Sequence, residues 1–259
     1  MHEILRSLPA GARVLDLGCQ AGSFPREWTE ATVVRLDRDA PPPCHAAFVR
    51  GDAALLPFAA GSFAAVIANH SLEHFDDLQS VLLEVRRVVR QDGALFVAVP
   101  DASTLTDRLY RWLGKGGGHV NRFTSAAETA QAIERETGLR RVATRTLWSS
   151  LSFMNRRRAP RPLPRRLWLI GGGFEFLLFL YVWVSRRVDR WFGTRTGVYG
   201  WAFYFGQVDG PVDTTEWRNV CIRCGSGCAA DALKPRTLIA GLGVYDCPRC
   251  GAKNPFCPV

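Results

Sequence analysis

The chain has 259 residues, 47% of them apolar and 22% charged, with eight cysteines. That composition suits one α/β domain of ordinary size plus a small satellite, and it excludes disorder throughout. The net charge of +9 is concentrated, because residues 151–195 hold ten arginines against only Glu175 and Asp189, so a basic partner surface belongs to that segment.

Met1 to Leu8 is too short and too polar a run for a secretory signal. The expectation is therefore a reducing, cytoplasmic setting, in which cysteines bind metal or stay as free thiols. Apolar runs at Arg13–Leu17, Thr32–Leu36, Ala47–Arg50 and Phe63–Ala68 alternate with helix-like stretches, the pattern of a parallel sheet with crossover helices. Leu78–Val89 repeats Leu and Val at helical spacing, and Gln91-Asp92-Gly93 then turns into a fifth strand, Ala94–Val99. Ser125 and Glu128 form a capping box for a helix that stops before Gly138. Arg141–Leu147 and Tyr199–Val208 read as the sixth and seventh strands. The composition changes after Gly210-Pro211. The expected organisation is a main domain of residues 1–150 and 196–210, a basic, hydrophobic insertion at 151–195 and a cysteine-bearing tail at 211–259.

The unusual polar residues of the first half fall at the carboxyl ends of the strands, where an open parallel sheet binds ligands. Gly18 and Gly22 let backbone approach a ligand and are expected to lead into a helix N-terminus. Asp37, 19 residues after Gly18, stands where a carboxylate binds two ribose hydroxyls, and Asp52 where one accepts from an adenine amino group. A tight structural turn is the bland reading of the glycines, and two further acids at successive strand ends weigh against it.

Val14-Leu-Asp-Leu-Gly-Cys19 with Gly22, Leu36-Asp37, Gly51-Asp-Ala-Ala-Leu-Leu-Pro-Phe58, Asn69-His-Ser-Leu-Glu-His74 and His119-Val-Asn-Arg-Phe-Thr124 resemble the class I, Rossmann-like S-adenosylmethionine (SAM)-dependent methyltransferases of small-molecule type. The resemblance covers about residues 10–147 and, more loosely, 199–208. It implies an α/β fold with a seven-stranded sheet of order 3-2-1-4-5-7-6 whose last strand is antiparallel. It places Asp16, Gly18, Cys19 and Gln20 around the methionine moiety of SAM, Asp37 on the ribose, Asp52 and Ala53 on the adenine, and Asn69 near the sulfonium. NAD is the runner-up ligand for such a loop, and the Gly-Asp-Ala-Ala setting of Asp52 favours SAM. The chain departs from the family at Gln20, where a third glycine often stands, and at Ala64, where an Asp is usual.

Methyl transfer needs a general base only when the acceptor loses a proton as it attacks. His119, on the connection after strand five, and His70, just past strand four, are the candidates, against the alternative of structural hydrogen bonds in loops. His74 is expected to cap or pack the next helix. Asn69-His-Ser-Leu replaces the Asn/Asp-Pro-Pro-Tyr/Phe run commonly used on nucleic-acid bases, which disfavours that substrate.

Leu167–Val184 is an apolar stretch of 18 residues flanked by arginines and broken by Gly171–Gly173 and Glu175. Because strands six and seven of one sheet flank it, both ends must lie on one side of a membrane, so a single span is excluded. The expectation is an element lying on an anionic membrane, with Trp168, Trp183 and Trp191 at the interface, or a lid over the site.

Cys221-Ile-Arg-Cys224-Gly225 and Cys247-Pro-Arg-Cys250-Gly251 are two CxxC knuckles separated by 22 residues. Four thiolates at this spacing point to a structural Zn²⁺ ribbon that needs its metal to fold, with an iron–sulfur cluster as the rival. Cys228 and Cys257 are spare thiols, and Cys19 and Cys44 packing or loop residues. The sequence thus points to methyl transfer onto an O or C atom of a small-molecule, lipid or glycan acceptor, at the inner face of a membrane. The rivals are an RNA methyltransferase that uses the ribbon and arginines for binding, and a non-catalytic scaffold that docks a protein partner through the ribbon.

Overall fold

The computed structural model describes residues 1–20, 22–39, 47–113, 118–155, 157, 175–239 and 242–258. The apolar runs of the first half become β1 (Arg13–Leu17), β2 (Thr32–Asp37), β3 (Ala47–Arg50), β4 (Phe63–Asn69) and β5 (Val89–Pro100). With β6 (Arg141–Trp148) and β7 (Val198–Gly206) they form a seven-stranded sheet of order β3-β2-β1-β4-β5-β7-β6, as expected. β1 pairs in parallel with β2 and β4, and β3 and β5 extend the parallel set on either side. Gln207 N donates to Gly93 O at 3.1 Å and Asp101 N to Tyr199 O at 2.8 Å, so β7 runs antiparallel to β5.

The strands buried on both faces read as near-continuous Val, Ile, Leu and Phe, which is why β1, β4 and β5 are legible as apolar runs. α1 (His2–Ser7), which the sequence reading left out, buries Ile4 and Leu5. α2 (Leu78–Val88) turns Val81, Leu82, Val85 and Val88 inward, and Asp77 caps it by accepting from Ser80 N at 3.0 Å. α4 (Ala126–Thr137) packs beside α2, opens on Ser125, whose hydroxyl accepts from Glu128 N, and closes on left-handed Gly138.

Two expectations about local structure need correction. Among the described residues the loop after β1 does not lead into an α-helix; the connection to β2 holds a short 3₁₀ turn at Arg26–Trp28 and no longer helix. Pro25 directly precedes that turn and no apolar residues recur at helical spacing. β5 also starts five residues early, at Val89. The Gln91-Asp92-Gly93 turn survives as a break in register between the Phe63–Val89 and Ala65–Ala94 pairs, braced by Arg90 on Asp92 at 2.8 Å.

The chain groups into two compact units, one of residues 1–100, 118–145 and 201–214 and the other of residues 101–117, 146–200 and 215–259. The second contains α3 (Leu105–Leu113) and α5 (Glu175–Phe192), together with a two-stranded sheet of β8 (Asn219–Val220) and β9 (Gly227–Cys228). A three-stranded sheet of β10 (Arg236–Ile239), β11 (Leu242–Asp246) and β12 (Lys253–Pro255) completes it. α5 buries Leu178, Val182, Ser185, Arg186 and Asp189.

Glu175, which the sequence puts in the middle of an apolar stretch, instead begins α5. It is gripped by Arg223 at 2.7 and 2.9 Å and accepts from Asn155 Nδ2 at 3.2 Å. Arg186 is buried and donates to the carbonyls of Ser149, Gly197 and Arg218, and Arg195 pairs with buried Asp101 at 2.9 Å. Part of the basic segment is therefore internal scaffolding. Trp168 and the rest of 158–174 lie outside the described residues, and among the described ones no helix is long and apolar enough to cross a membrane.

Candidate active site and candidate metal centre

Asp16 is wholly buried near the end of β1. Its Oδ2 accepts from Ser23 N at 2.9 Å and lies 3.7 Å from Arg35 Nε, while Oδ1 has no hydrogen-bond partner. Burial raises its pKa, with the Ser23 hydrogen bonds and Arg35 opposing. Gly18 follows at φ +66°, and a Cβ there would sit 2.6 Å from Ser71 Cβ, so the turn after β4 packs directly on the glycine loop. Cys19 is buried and its thiol is pushed up to about 12, chiefly by burial and then by the Asp16 and Asp37 charges, which disfavours the thiolate.

Gln20 adopts φ +44°, the left-handed conformation that explains the family's preference for glycine there. Its N–H donates to Asp37 Oδ2 at 2.7 Å, and Asp37 Oδ1 takes Asp39 N at 3.1 Å. Asp37 therefore shapes the loop with the same carboxylate that the sequence reserves for the ribose. Gly22, at φ +113°, leaves the space that the Arg35 guanidinium fills.

Asp52 is exposed beyond β3, accepting from Ala54 N at 2.9 Å and facing Arg38 Nη2 at 3.4 Å; Ala53 beside it is buried. Their loop is pinned to α2, since Glu84 accepts from Leu56 N at 2.7 Å and Arg87 donates to the carbonyls of Leu56 and Phe58. Asn69 ends β4 and pairs with Ala98.

His70 follows at φ +55°, its N–H on Ala98 O at 2.9 Å and its Nδ1 3.7 Å from Glu73 Oε1. His74 does not cap α2, since Asp77 does that. Its Nδ1 lies 3.0 Å from Gly118 O and its ring meets that of His119 edge-on, with centroids 4.9 Å apart.

The structure thus gathers Asp16, Gly18, Gln20, Gly22 and Asp37 into one loop system and sets His74 against His119, while His70 faces Glu73 and Asp52 stands exposed beyond β3. Arg35 and Glu73 belong to this geometry and were not singled out from sequence. A charge inside the Val33-Val34-Arg35-Leu36 run was the available signal for Arg35. For Glu73, nothing in the sequence announces its burial.

In the second unit the Sγ atoms of Cys221, Cys224, Cys247 and Cys250 lie within 4.8 Å of one another. The Cys221–Cys250 and Cys224–Cys247 pairs are 3.5 and 3.7 Å apart. A tetrahedral Zn²⁺ with bonds of about 2.3 Å sets its sulfurs about 3.8 Å apart, so the donor set fits that ion. Gly225 and Gly251, both left-handed, close the knuckles by donating to the carbonyls of Cys221 and Cys247. Buried Asn254 links the two knuckles through Ile222 N at 2.8 Å and Cys221 Sγ at 3.7 Å. Cys228 and Cys257 stand outside the cluster, and Cys44 lies outside the described residues.

Residues 15–97 match a family described as a methyltransferase domain. The chain is 31% identical over 149 residues to malonyl-[acyl-carrier protein] O-methyltransferase of Enterobacter lignolyticus, a match covering 53% of this chain and 58% of that protein. It is 28% identical over 168 residues to demethylmenaquinone methyltransferase of Renibacterium salmoninarum, covering 56% and 70%. The chain spans little more than half the length of the first of these relatives.

Among solved structures it resembles a SAM-dependent methyltransferase from Archaeoglobus fulgidus, at TM-score 0.52 and 16% identity over 78% of this chain and 87% of that one. It also resembles a chain in the complex between the Haloferax volcanii Trm112 methyltransferase activator and a methyltransferase, at TM-score 0.51 and 17% identity over 81% and 88%. At these identities the structural likenesses speak for the fold. Fold and comparisons together establish a Rossmann-like α/β sheet whose residues 15–97 match a methyltransferase domain.

Proposed function

We propose that the protein is a SAM-dependent methyltransferase acting on an oxygen or carbon atom of a small-molecule or lipid-linked acceptor. The observation that carries this reading is the β1 loop. Its buried Asp16 keeps one oxygen without a partner, and Gly18 and Gly22 let the loop close tightly against Ser71 and Arg35 beside it. An acceptor oxygen of that kind suits the α-ammonium of a methionine moiety.

In this reading Asp16, Gly18, Cys19 and Gln20 hold the methionine moiety and Asp37 the ribose. Asp52 and Ala53 hold the adenine, and Asn69 faces the sulfonium. Bound SAM supplies an already activated methyl group. The protein's part is to align the acceptor, an effect worth up to about 7–11 kcal/mol. His70 and His119 are the groups placed to take a proton from a hydroxyl or phenol, whereas a carboxylate acceptor needs no base.

The relatives act, by their names, on malonyl-acyl-carrier protein and on demethylmenaquinone, and these are the acceptors to try first. Incubation with methyl-labelled SAM and each acceptor is expected to label one of them. Where the acceptor is the demethylmenaquinone ring, labelling is expected to fall at least about 100-fold in the His119→Ala variant while SAM binding persists. Loss of both together would assign His119 to binding, and no labelling of any oxygen or carbon acceptor would contradict the reading.

We further take residues 1–150 with 196–210 as the catalytic domain, 151–195 as an acceptor-side or membrane-surface insertion, and 211–259 as a structural Zn²⁺ ribbon. Placement at the inner face of a cytoplasmic membrane has one supporting feature. Phe176, Leu180, Val184 and Trp191 are exposed along α5 beside the arginines. Co-sedimentation with anionic but not neutral liposomes is the expected result, and none with either would remove this placement.

A further inference from the structure

Between β4 and α2 the chain makes a single 3₁₀ turn, Leu72–His74, in which Glu73 is buried and His74 exposed. Nearly fifty residues later the chain returns to this turn. Val120 N and Asn121 N both donate to Glu73 O, at 2.8 and 3.1 Å, and the Asn121 amide donates to Leu72 O and Phe75 O at 2.9 and 2.7 Å. These bonds fix His119 over the turn by main chain and by one half-buried amide, independently of what the imidazoles themselves do.

One ligand atom from each of Glu73, His74 and His119 then lies within 4.8 Å of the others. Glu73 is 1% exposed, yet its Oε2 has no hydrogen-bond partner, a costly state for a carboxylate oxygen unless a cation or donor completes it. His74 sets its Nδ1 against Gly118 O at 3.0 Å, a contact that requires a proton on Nδ1 and leaves the Nε2 lone pair to coordinate. Histidines that hold metals are oriented by such a hydrogen bond from the other ring nitrogen to a carbonyl.

We propose that Glu73, His74 and His119 form a binding site for a divalent first-row transition ion, separate from the four-cysteine cluster. Two imidazoles and one carboxylate leave coordination positions open, and such a site takes an oxygen donor as its further ligand. Ser71, two residues before Glu73, packs on Gly18, so the ion stands next to the glycine loop. Its natural ligand there is a hydroxyl, phenol or carboxylate oxygen of the acceptor. That role rests on the methyltransferase reading, and it makes His119 a ligand and leaves His70 as the base; metal binding itself does not depend on it.

The test is a Co²⁺ titration of the zinc-loaded, full-length protein, followed by visible spectroscopy and equilibrium dialysis, with SAM binding measured separately. The expected result is one further bound ion with weak d–d bands and no thiolate charge-transfer band, its affinity lowered more than about 100-fold in His119→Ala and in Glu73→Gln. Far-UV circular dichroism identical to the parent shows that each variant is folded. The His74→Ala variant, altered at an exposed side chain, gives a third check. No ion beyond the cysteine site, or an extra ion held equally well by all three variants, overturns the proposal. An ion bound at these residues in a protein that does not bind SAM leaves the site standing and defeats the methyltransferase reading.

Discussion

Gly18 and Gln20 stand two residues apart in left-handed backbone, at φ +66° and +44°, and only one of them is glycine. For a non-glycine residue that conformation costs about 1–2 kcal/mol. At Gly18 a methyl group would in addition meet Ser71 Cβ at 2.6 Å, and both atoms are tied closely to backbone. Gly18→Ala is therefore expected to lower the melting temperature and weaken SAM binding by more than about tenfold. Gln20→Gly removes left-handed strain but frees the unfolded chain by about 0.5–1 kcal/mol, so its melting temperature is expected to stay within a few degrees of the parent. Equal loss in both variants, measured by scanning calorimetry, would contradict this description of the loop. Gly18, Gly22, Asp37 and Asp52 were legible because glycine and acid at the ends of apolar runs are signals within a few residues of sequence. Arg35 and Glu73 were not, because their meaning lies in Asp16 across the β1–β2 register and in His119 on a distant loop.

α5 shows what an element's sequence hides. Read alone, its apolar residues flanked by arginines suggest lipid, with Glu175 as the expensive exception. In the folded unit Glu175 is the anchor that ties the start of α5 to Arg223 of the first knuckle. The Arg223 hydrogen bonds hold the Glu175 carboxyl below its ordinary 4.5, with burial opposing and Asn155 assisting. A depressed carboxyl pKa stabilises the fold above the unfolded value, and the contribution is lost as pH falls below about 4.5 toward the folded value. Glu175→Gln is expected to cost about 1 kcal/mol at neutral pH and progressively less in acid. Denaturant titrations at pH 7 and below pH 4 check this, and a constant difference between parent and variant would contradict it. The helix wrongly expected after β1 is the converse case. The glycine loop suggested it, while the sequence beyond carries Pro25 and no 3.6-residue period.

At the scale of the whole molecule, the paired knuckles were legible from their spacing along the chain, whereas the strand order came from the resemblance to the methyltransferase family and the structure agrees with it. The division of the chain into two compact units was not legible. Residues 101–117 and 215–259 join the second unit through contacts that no local pattern marks. The buried Cys221 thiol is pushed up to about 12 by burial, so without metal the knuckle holds a neutral thiol where a thiolate ligand belongs. Strong chelation is expected to remove one zinc per chain and to unfold the ribbon, with loss of protection of the amides in 219–258 in hydrogen exchange. Protection unchanged after complete zinc removal would contradict a metal-dependent ribbon.

The central claim is the donor. Calorimetric titration of the zinc-loaded protein with SAM, beside Asp37→Ala, tests it most directly. The account predicts saturable binding to one site, weakened by about 100-fold or more in the variant, which loses both the carboxylate proposed to hold the ribose and the brace on Gln20 N. No heat of binding by the folded, zinc-loaded protein would contradict the methyltransferase reading and leave a methyltransferase-like fold with a scaffold's role.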